Sequence, residues 1–462
     1  MTDENINKIP KRVLTSLLSS VSAGVVPRSG APYIAIGRND EIAALLSDLE
    51  LVNDGGGAMR FLIGRYGSGK SFLIQLMRGY ALEKGFITAD ADLSPERRLY
   101  GTGGSGVATY RELMKNLASK SSPDGAALPK IIARWISELR MELEDIRDES
   151  VLTQKLGARI LSELREMEFL VGGFDFAKVL SEYYSAYMND DDQKKSACLR
   201  WLRGEFATKT EARRELGFQI SIIIDDENWY DFLKLWASLV RRMGYRGLVV
   251  FIDECVNLYK ITHRVSRENN YEKILAMFND TLQGRAPGLE LILGGTPQFL
   301  EDTRRGLFGY EALRSRLCDS RFSSEGFKNL IGPVIRLRRL SDDELFALIV
   351  RVTKLHGKNY GWEPRITTEE MIAFLKICLE RAGADTMITP REMLRDYMTV
   401  LNILMQNENV RFADIAGTAV TLRTENDDND YGNNAVNASS TPAPSASSAP
   451  TGRSFDPNDI EL

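Results

Sequence analysis

The sequence predicts an α/β fold, a parallel sheet flanked by helices, and three observations predict it. The first is Gly64-Arg65-Tyr66-Gly67-Ser68-Gly69-Lys70-Ser71, set between an apolar run (Met59, Phe61, Leu62, Ile63) and a helical pattern (Phe72, Leu73, Leu76, Met77, Tyr80). The second is Leu248-Val249-Val250-Phe251-Ile252, apolar without alternation, as a strand covered on both faces must be. The third is order: helical stretches separate these runs from further strand patterns at residues 86–93, 289–296 and 334–337.

At 462 residues the chain is long enough for two or three domains with sizeable cores. A hydrophobic content of 43% and a charged content of 27% fit a soluble globular protein. The formal charge of −5 excludes a global basic field, so any nucleic-acid surface must be a local patch. Cys198, Cys255, Cys318 and Cys378 have no paired spacing, and His263 and His356 are the only histidines. That inventory argues against a disulfide framework or a zinc site. No apolar run approaches a membrane span, and the polar first ten residues lack the apolar core of a signal peptide. A reducing, cytoplasmic setting is expected.

Along the chain, residues 1–32 read as a short amphipathic helix (11–22) and a Pro/Gly-containing connector. Residues 33–120 form the first part of the core. They hold a helix from Asn39-Asp40-Glu41 carrying Ile42, Leu45, Leu46 and Leu49, then the loop strand, its helix and the strand at 86–93. Residues 121–246 read as a mostly helical insertion, because Ile131, Trp135, Ile136 and Leu139, and later Phe232, Leu235, Trp236 and Leu239, recur at three and four. Such stripes are packing faces. Residues 247–340 resume the core, and residues 341–412 are helical again. From 425 to 462 periodicity is lost, and the Ser/Ala/Pro/Asn tract at 434–454 is expected to be disordered.

The glycine-rich segment is a phosphate-binding loop. Its glycines let successive N–H groups turn inward around phosphate oxygens, and the following helix N-terminus adds a favourable partial charge. Lys70 is placed to reach the β- and γ-phosphates, and Ser71 to ligate Mg²⁺. The pattern arises by chance in roughly 2% of chains this long. Hydrolysis also needs a carboxylate near the metal and a base for the attacking water, at the end of a neighbouring buried strand. Asp253 and Glu254 fill those roles. Ile222-Ile223-Ile224-Asp225-Asp226-Glu227 has the same look. The later segment is preferred because a helix and another strand follow it, whereas the earlier one runs into a helix that Asp225 or Asp226 can cap. Thr296 ends the next strand, where a hydroxyl can sense the γ-phosphate. Arg314 and Arg316 lie within one helical turn and suit either a solvated face or an arginine finger in a neighbouring subunit. Thr389-Pro390-Arg391-Glu392 starts a helix with Pro in its first turn, placing Arg391 at a helix start.

In this order the pieces resemble an AAA+ P-loop ATPase (ASCE type) of the initiator-like clade. Gly64–Ser71 with Phe72 matches Walker A, and residues 248–254 match Walker B. Thr296 falls at sensor 1, Ser315-Arg316-Leu317 resembles the arginine-finger box, and Pro390-Arg391 resembles sensor 2. Ile36-Gly37-Arg38 with Glu41 resembles the segment that lies against the adenine. The resemblance makes 341–412 a helical lid. Asp92-Leu93-Ser94-Pro95-Glu96, Asp253-Glu254-Cys255-Val256-Asn257, Gly294-Gly295-Thr296-Pro297 and Tyr310-Glu311-Ala312-Leu313-Arg314 narrow it to the P-loop ATP-binding proteins of BREX-type phage-defence systems. It implies ATP and Mg²⁺ as cofactors, and self-association or assembly with other defence subunits. The initiator clade usually carries a winged-helix domain after the lid; a disordered tail is expected here, so DNA is implied only indirectly. The residues themselves leave two other classes open: a slow nucleotide switch that docks proteins, and a P-loop kinase.

Overall fold

The computed structural model describes residues 8–143, 145–165, 167–319, 329–381 and 389–416. The expected disordered tail at 425–462 lies outside them. The chain divides into two units, one spanning Arg38–Arg338 and the other built from the described residues of Met1–Gly37 and Arg339–Leu462.

The first unit is an α/β layer structure. Its strands are β1 (Ala58–Ile63), β2 (Ile87–Asp92), β3 (Leu248–Asp253), β4 (Leu289–Gly295) and β5 (Val334–Arg336). They form one sheet in the order β2-β3-β4-β1-β5 with every pairing parallel. β1, β3 and β4 are buried along their whole length, which is why β3 reads as an apolar run up to Ile252 and the other two are apolar except for Arg60 and Glu290. The order sets β1 beside β4 and β4 beside β3, so the ends of the phosphate loop strand and the acidic strand are separated by one strand only. This is a parallel five-stranded α/β fold consistent with a P-loop NTPase.

The helices at Leu128–Met141 and Trp229–Arg242 carry apolar stripes read from the sequence, and Gly173–Met188 and Asp192–Leu202 are further helices of the same insertion. Their buried faces join the sheet residues in one continuous core: Trp135, Phe176, Trp201, Phe232 and Trp236 lie in the same cluster as Ile87, Val250 and Leu291. The insertion thus shares its core with the sheet. The segment Ile222-Ile223-Ile224 is not a strand. The N–H groups of Ser221 and Ile222 donate to Asp175 Oδ2, both at 2.8 Å, so they are satisfied without a sheet neighbour. Asp226 accepts from Gly104 N and Val107 N at 2.8 Å and caps the helix Ser105–Lys115.

β4 also carries an oddity. Glu290 is fully buried, and neither carboxyl oxygen has a hydrogen-bond partner. Burial, helped by nearby Asp48 and opposed by Arg60, pushes its carboxyl well above the usual range. The folded chain therefore keeps a proton that the unfolded chain releases at neutral pH, so this group lowers stability as pH rises from the unfolded value toward the folded one. Glu290→Leu is expected to stabilise the protein by about 1–3 kcal/mol at pH 8, the usual cost of an unpaired buried polar group. Urea denaturation at pH 5 and pH 8 checks it, because the gain should shrink at the lower pH.

In the second unit, the N-terminal helix Lys11–Ser22 packs with Asp342–Tyr360 and Pro390–Gln406. Thr15 Oγ1 donates to Asn359 Oδ1 at 2.8 Å. This N-terminal helix belongs to the same unit as the described residues of 339–462. Ser341 with Glu344, and Thr389 with Glu392, form capping boxes that start two of these helices. No described helix is long and apolar enough to cross a membrane.

Candidate functional site

The phosphate loop leaves the end of β1 and enters the helix Lys70–Glu83. Gly69 is that helix's N-cap with φ 88°, a left-handed conformation that L side chains adopt only at a cost. Lys70 is the first helical residue. Its ammonium is folded back on the loop, donating to Gly64 O at 2.9 Å and Arg65 O at 3.4 Å, with the Tyr66 ring centroid 5.5 Å away. Burial lowers the Lys70 pKa, and the charges of Asp253 and Glu254 work against that shift. Arg65, Tyr66 and Gly67 are exposed, whereas Gly64 and Ser68 are buried and Phe72 is half-buried.

The acidic pair lies on the same side of the sheet as this lysine. Ser71 Oγ donates to Asp253 Oδ2 at 2.7 Å, across 182 residues of sequence. The other oxygen, Oδ1, accepts from Glu254 N at 2.8 Å. Asp253 is held by its surroundings: a Cβ placed on Gly294 would lie 2.2 Å from Asp253 Oδ1, so the β4 position facing it must be glycine. Glu254 has φ 55°, uncommon for a non-glycine residue and concentrated at functional sites. Cys255 N donates to Gly294 O at 2.9 Å and Asn257 Nδ2 to Leu93 O at 2.8 Å, tying the turn after β3 to both neighbouring strands.

Asp92 is the residue that sequence reasoning missed. It ends β2 opposite Asp253 in the register. Burial and the charges of Asp253, Glu254 and Asp90 raise its carboxyl pKa. The signal was present in the alternation of Thr88-Ala89-Asp90-Ala91-Asp92, which ends on a carboxylate, but its neighbour across the sheet was not readable from the chain.

The remaining candidates are placed as follows. Thr296 is buried directly after β4, and its hydroxyl accepts from Phe299 N at 3.4 Å as an N-cap. Arg314 and Arg316 lie on the exposed side of the helix Glu311–Leu317; Arg316 donates to Asn279 Oδ1 at 3.1 Å and to Ala312 O at 2.6 Å. Arg391 is exposed in the first turn of Pro390–Gln406, in the other unit, alongside Gly24. Gly37 also belongs to that unit. Arg38, expected against an adenine, is buried, and its guanidinium is committed to the phosphate loop through Ser68 O at 2.8 Å.

The chain carries local basic clusters at Arg241-Arg242, Arg304-Arg305 and Arg336/Arg338-Arg339, and several of these arginines serve structure. Arg241 donates to Asn53 O, Arg242 pairs with Glu163, Arg305 donates to Tyr259 O and Ile261 O, and Arg336 pairs with Glu301 and Asp319.

The donors fit a magnesium–nucleotide complex. Ser71 and Asp253 bring a hydroxyl and a carboxylate oxygen together, hard ligands of the kind Mg²⁺ takes. Among the described residues no group of three or more His, Cys, Asp or Glu is arranged to hold a metal. No curated protein matches this chain. The profile of one family does match, over residues 9–419, and the chain belongs to that family, the BREX system ATP-binding proteins BrxC/D.

Proposed function

We propose that this protein binds ATP with Mg²⁺ and hydrolyses it, as an AAA+ motor or switch within a phage-defence complex. The observation that carries the reading is the Ser71–Asp253 hydrogen bond, which joins the two halves of the site. The loop amides wrap the phosphates, and the Lys70 ammonium exchanges its carbonyl partners for phosphate oxygens, a stronger charge-assisted contact. Ser71 and Asp253 would hold Mg²⁺, which would offset the charge of the phosphates. Glu254 orients the attacking water and takes its proton. Thr296 senses the terminal phosphate. Resemblance adds Arg391 as a second sensor, Gly37 and Phe72 as further nucleotide contacts, and residues 341–412 as a lid. Arg314 or Arg316 serves the site of a neighbouring subunit, which requires self-association or assembly with other defence subunits. The cytoplasm is the setting that fits, and DNA is an indirect partner.

Lys70→Ala tests the reading. ATP affinity is expected to fall about 100-fold, the worth of charge-assisted contacts to phosphate, and phosphate release to fall with it. The melting temperature should not fall, because the folded protein holds this buried cation at a cost. In the wild type, affinity should weaken as pH rises toward the lowered pKa of Lys70, since only the protonated amine attracts phosphate; the Ala variant should lack that slope. Equal ATP affinity in the two proteins would remove the loop from the binding site.

A further inference from the structure

Arg38 and Arg338 are the first and last residues of the sheet unit, so the chain enters and leaves that unit at these two points. One guanidinium holds both. Arg38 is only 4% exposed, unusual for a charged side chain. Its Nη2 donates to Ser68 O at 2.8 Å and to Arg338 O at 2.5 Å, and Nη1 lies 3.5 Å from Glu41 Oε1. Ser68 belongs to the phosphate loop, and its carbonyl precedes Gly69 N.

The peptide geometry gives these bonds a consequence. A trans peptide is planar, with its C=O and N–H pointing in opposite directions, and no peptide among the described residues is cis. Drawing the Ser68 carbonyl toward Arg38 turns the Gly69 N–H the other way, and inward-turned amides are what a phosphate cradle requires. The planar fork divides the work, with Nη2 on the two carbonyls and Nη1 toward Glu41, whereas a lysine would have to meet all three partners from one nitrogen.

We infer that Arg38 is a positioning residue that couples the phosphate cradle to both covalent crossings of the sheet unit. Nucleotide binding then fixes the backbone at 38 and 338 together with the loop, and whatever moves those crossings alters the cradle. Arg38 acts through the Ser68–Gly69 peptide and touches no reacting atom. This inference rests on the nucleotide reading above.

The test compares wild type, Arg38→Lys, Arg38→Gln and Arg60→Lys by binding of a fluorescent ATP analogue with Mg²⁺, by melting temperature and by hydrogen exchange. Arg60 is the control. It is a buried arginine of the same unit, joined to Asp48 at 2.6 Å and 2.7 Å and to the carbonyls of Leu330 and Ile331. In the wild type, ATP is expected to slow exchange in peptides covering residues 36–40 and 337–341. Arg38→Lys and Arg38→Gln should bind roughly tenfold more weakly and, at saturating ATP, lose the protection at 337–341. Arg60→Lys should lower the melting temperature and keep both affinity and protection. Wild-type affinity in Arg38→Lys, or protection that persists in it at saturation, overturns the coupling. Absence of ATP-dependent protection in the wild type overturns it without recourse to any variant. A wild type that does not bind ATP refutes the nucleotide reading instead, which is a different result.

Discussion

Glu254→Gln is expected to cut multiple-turnover phosphate release by about 10²–10⁴-fold, the usual contribution of a positioned general base, while ATP binding survives. The amide keeps the shape of the side chain and loses the basic oxygen. The groups assigned to binding are all elsewhere: the loop amides, Lys70, Ser71 and Asp253. The backbone of residue 254 is held independently of its side chain, by Glu254 N donating to Asp253 Oδ1 and Cys255 N donating to Gly294 O. The substitution also removes one of three carboxylates gathered at this end of the sheet; burial and the charges of Asp253 and Glu254 raise the carboxyl of the third, Asp92. Affinity for an anionic triphosphate should therefore hold or tighten. Parallel measurement of phosphate release and ATP binding decides it. Unchanged turnover would move the base away from Glu254 and make Asp92 the next residue to test.

Arg316→Ala is expected to lower kcat about 10³-fold or more in an assembled protein, if it behaves as arginine fingers do in GTPases. Arg316 sits on an exposed helix face and is held by Asn279 and Ala312 O, neither of which belongs to its own chain's phosphate loop. A cation so placed is available to a neighbouring subunit, the role proposed for it above. The decisive measurement mixes Arg316→Ala with Glu254→Gln. Each protein supplies what the other lacks, so interfaces that combine an intact Glu254 with an intact Arg316 should regain activity that neither variant shows alone. Turnover of purified, assembled Arg316→Ala at the wild-type rate would refute the assignment, and Arg314→Ala would then be the variant to measure.

The parts of the site legible in the chain are those made by neighbours in sequence. The loop, its strand and its helix occupy a few turns of backbone, and Thr389 with Glu392 announces a helix start within four residues. Residues related only through space were harder to read. The two acidic segments after apolar runs look alike along the chain; they differ because Ile222 finds Asp175 as its partner while β3 finds β2 and β4. Gly294 reads as part of an ordinary strand-end turn until Asp253 is seen against it. Asp92 gained its neighbours only when β2 paired with β3.

Sequence alone determined the elements and the chemistry they carry, because periodicity, caps and the glycine spacing act over a handful of residues and their physics is local. Tertiary structure decided which elements share a core, which acidic pair meets Ser71, and what the buried guanidinium of Arg38 holds. Those outcomes depend on desolvation: once strands are buried side by side, every polar group must find a partner wherever the chain brings one, and distance along the sequence no longer matters.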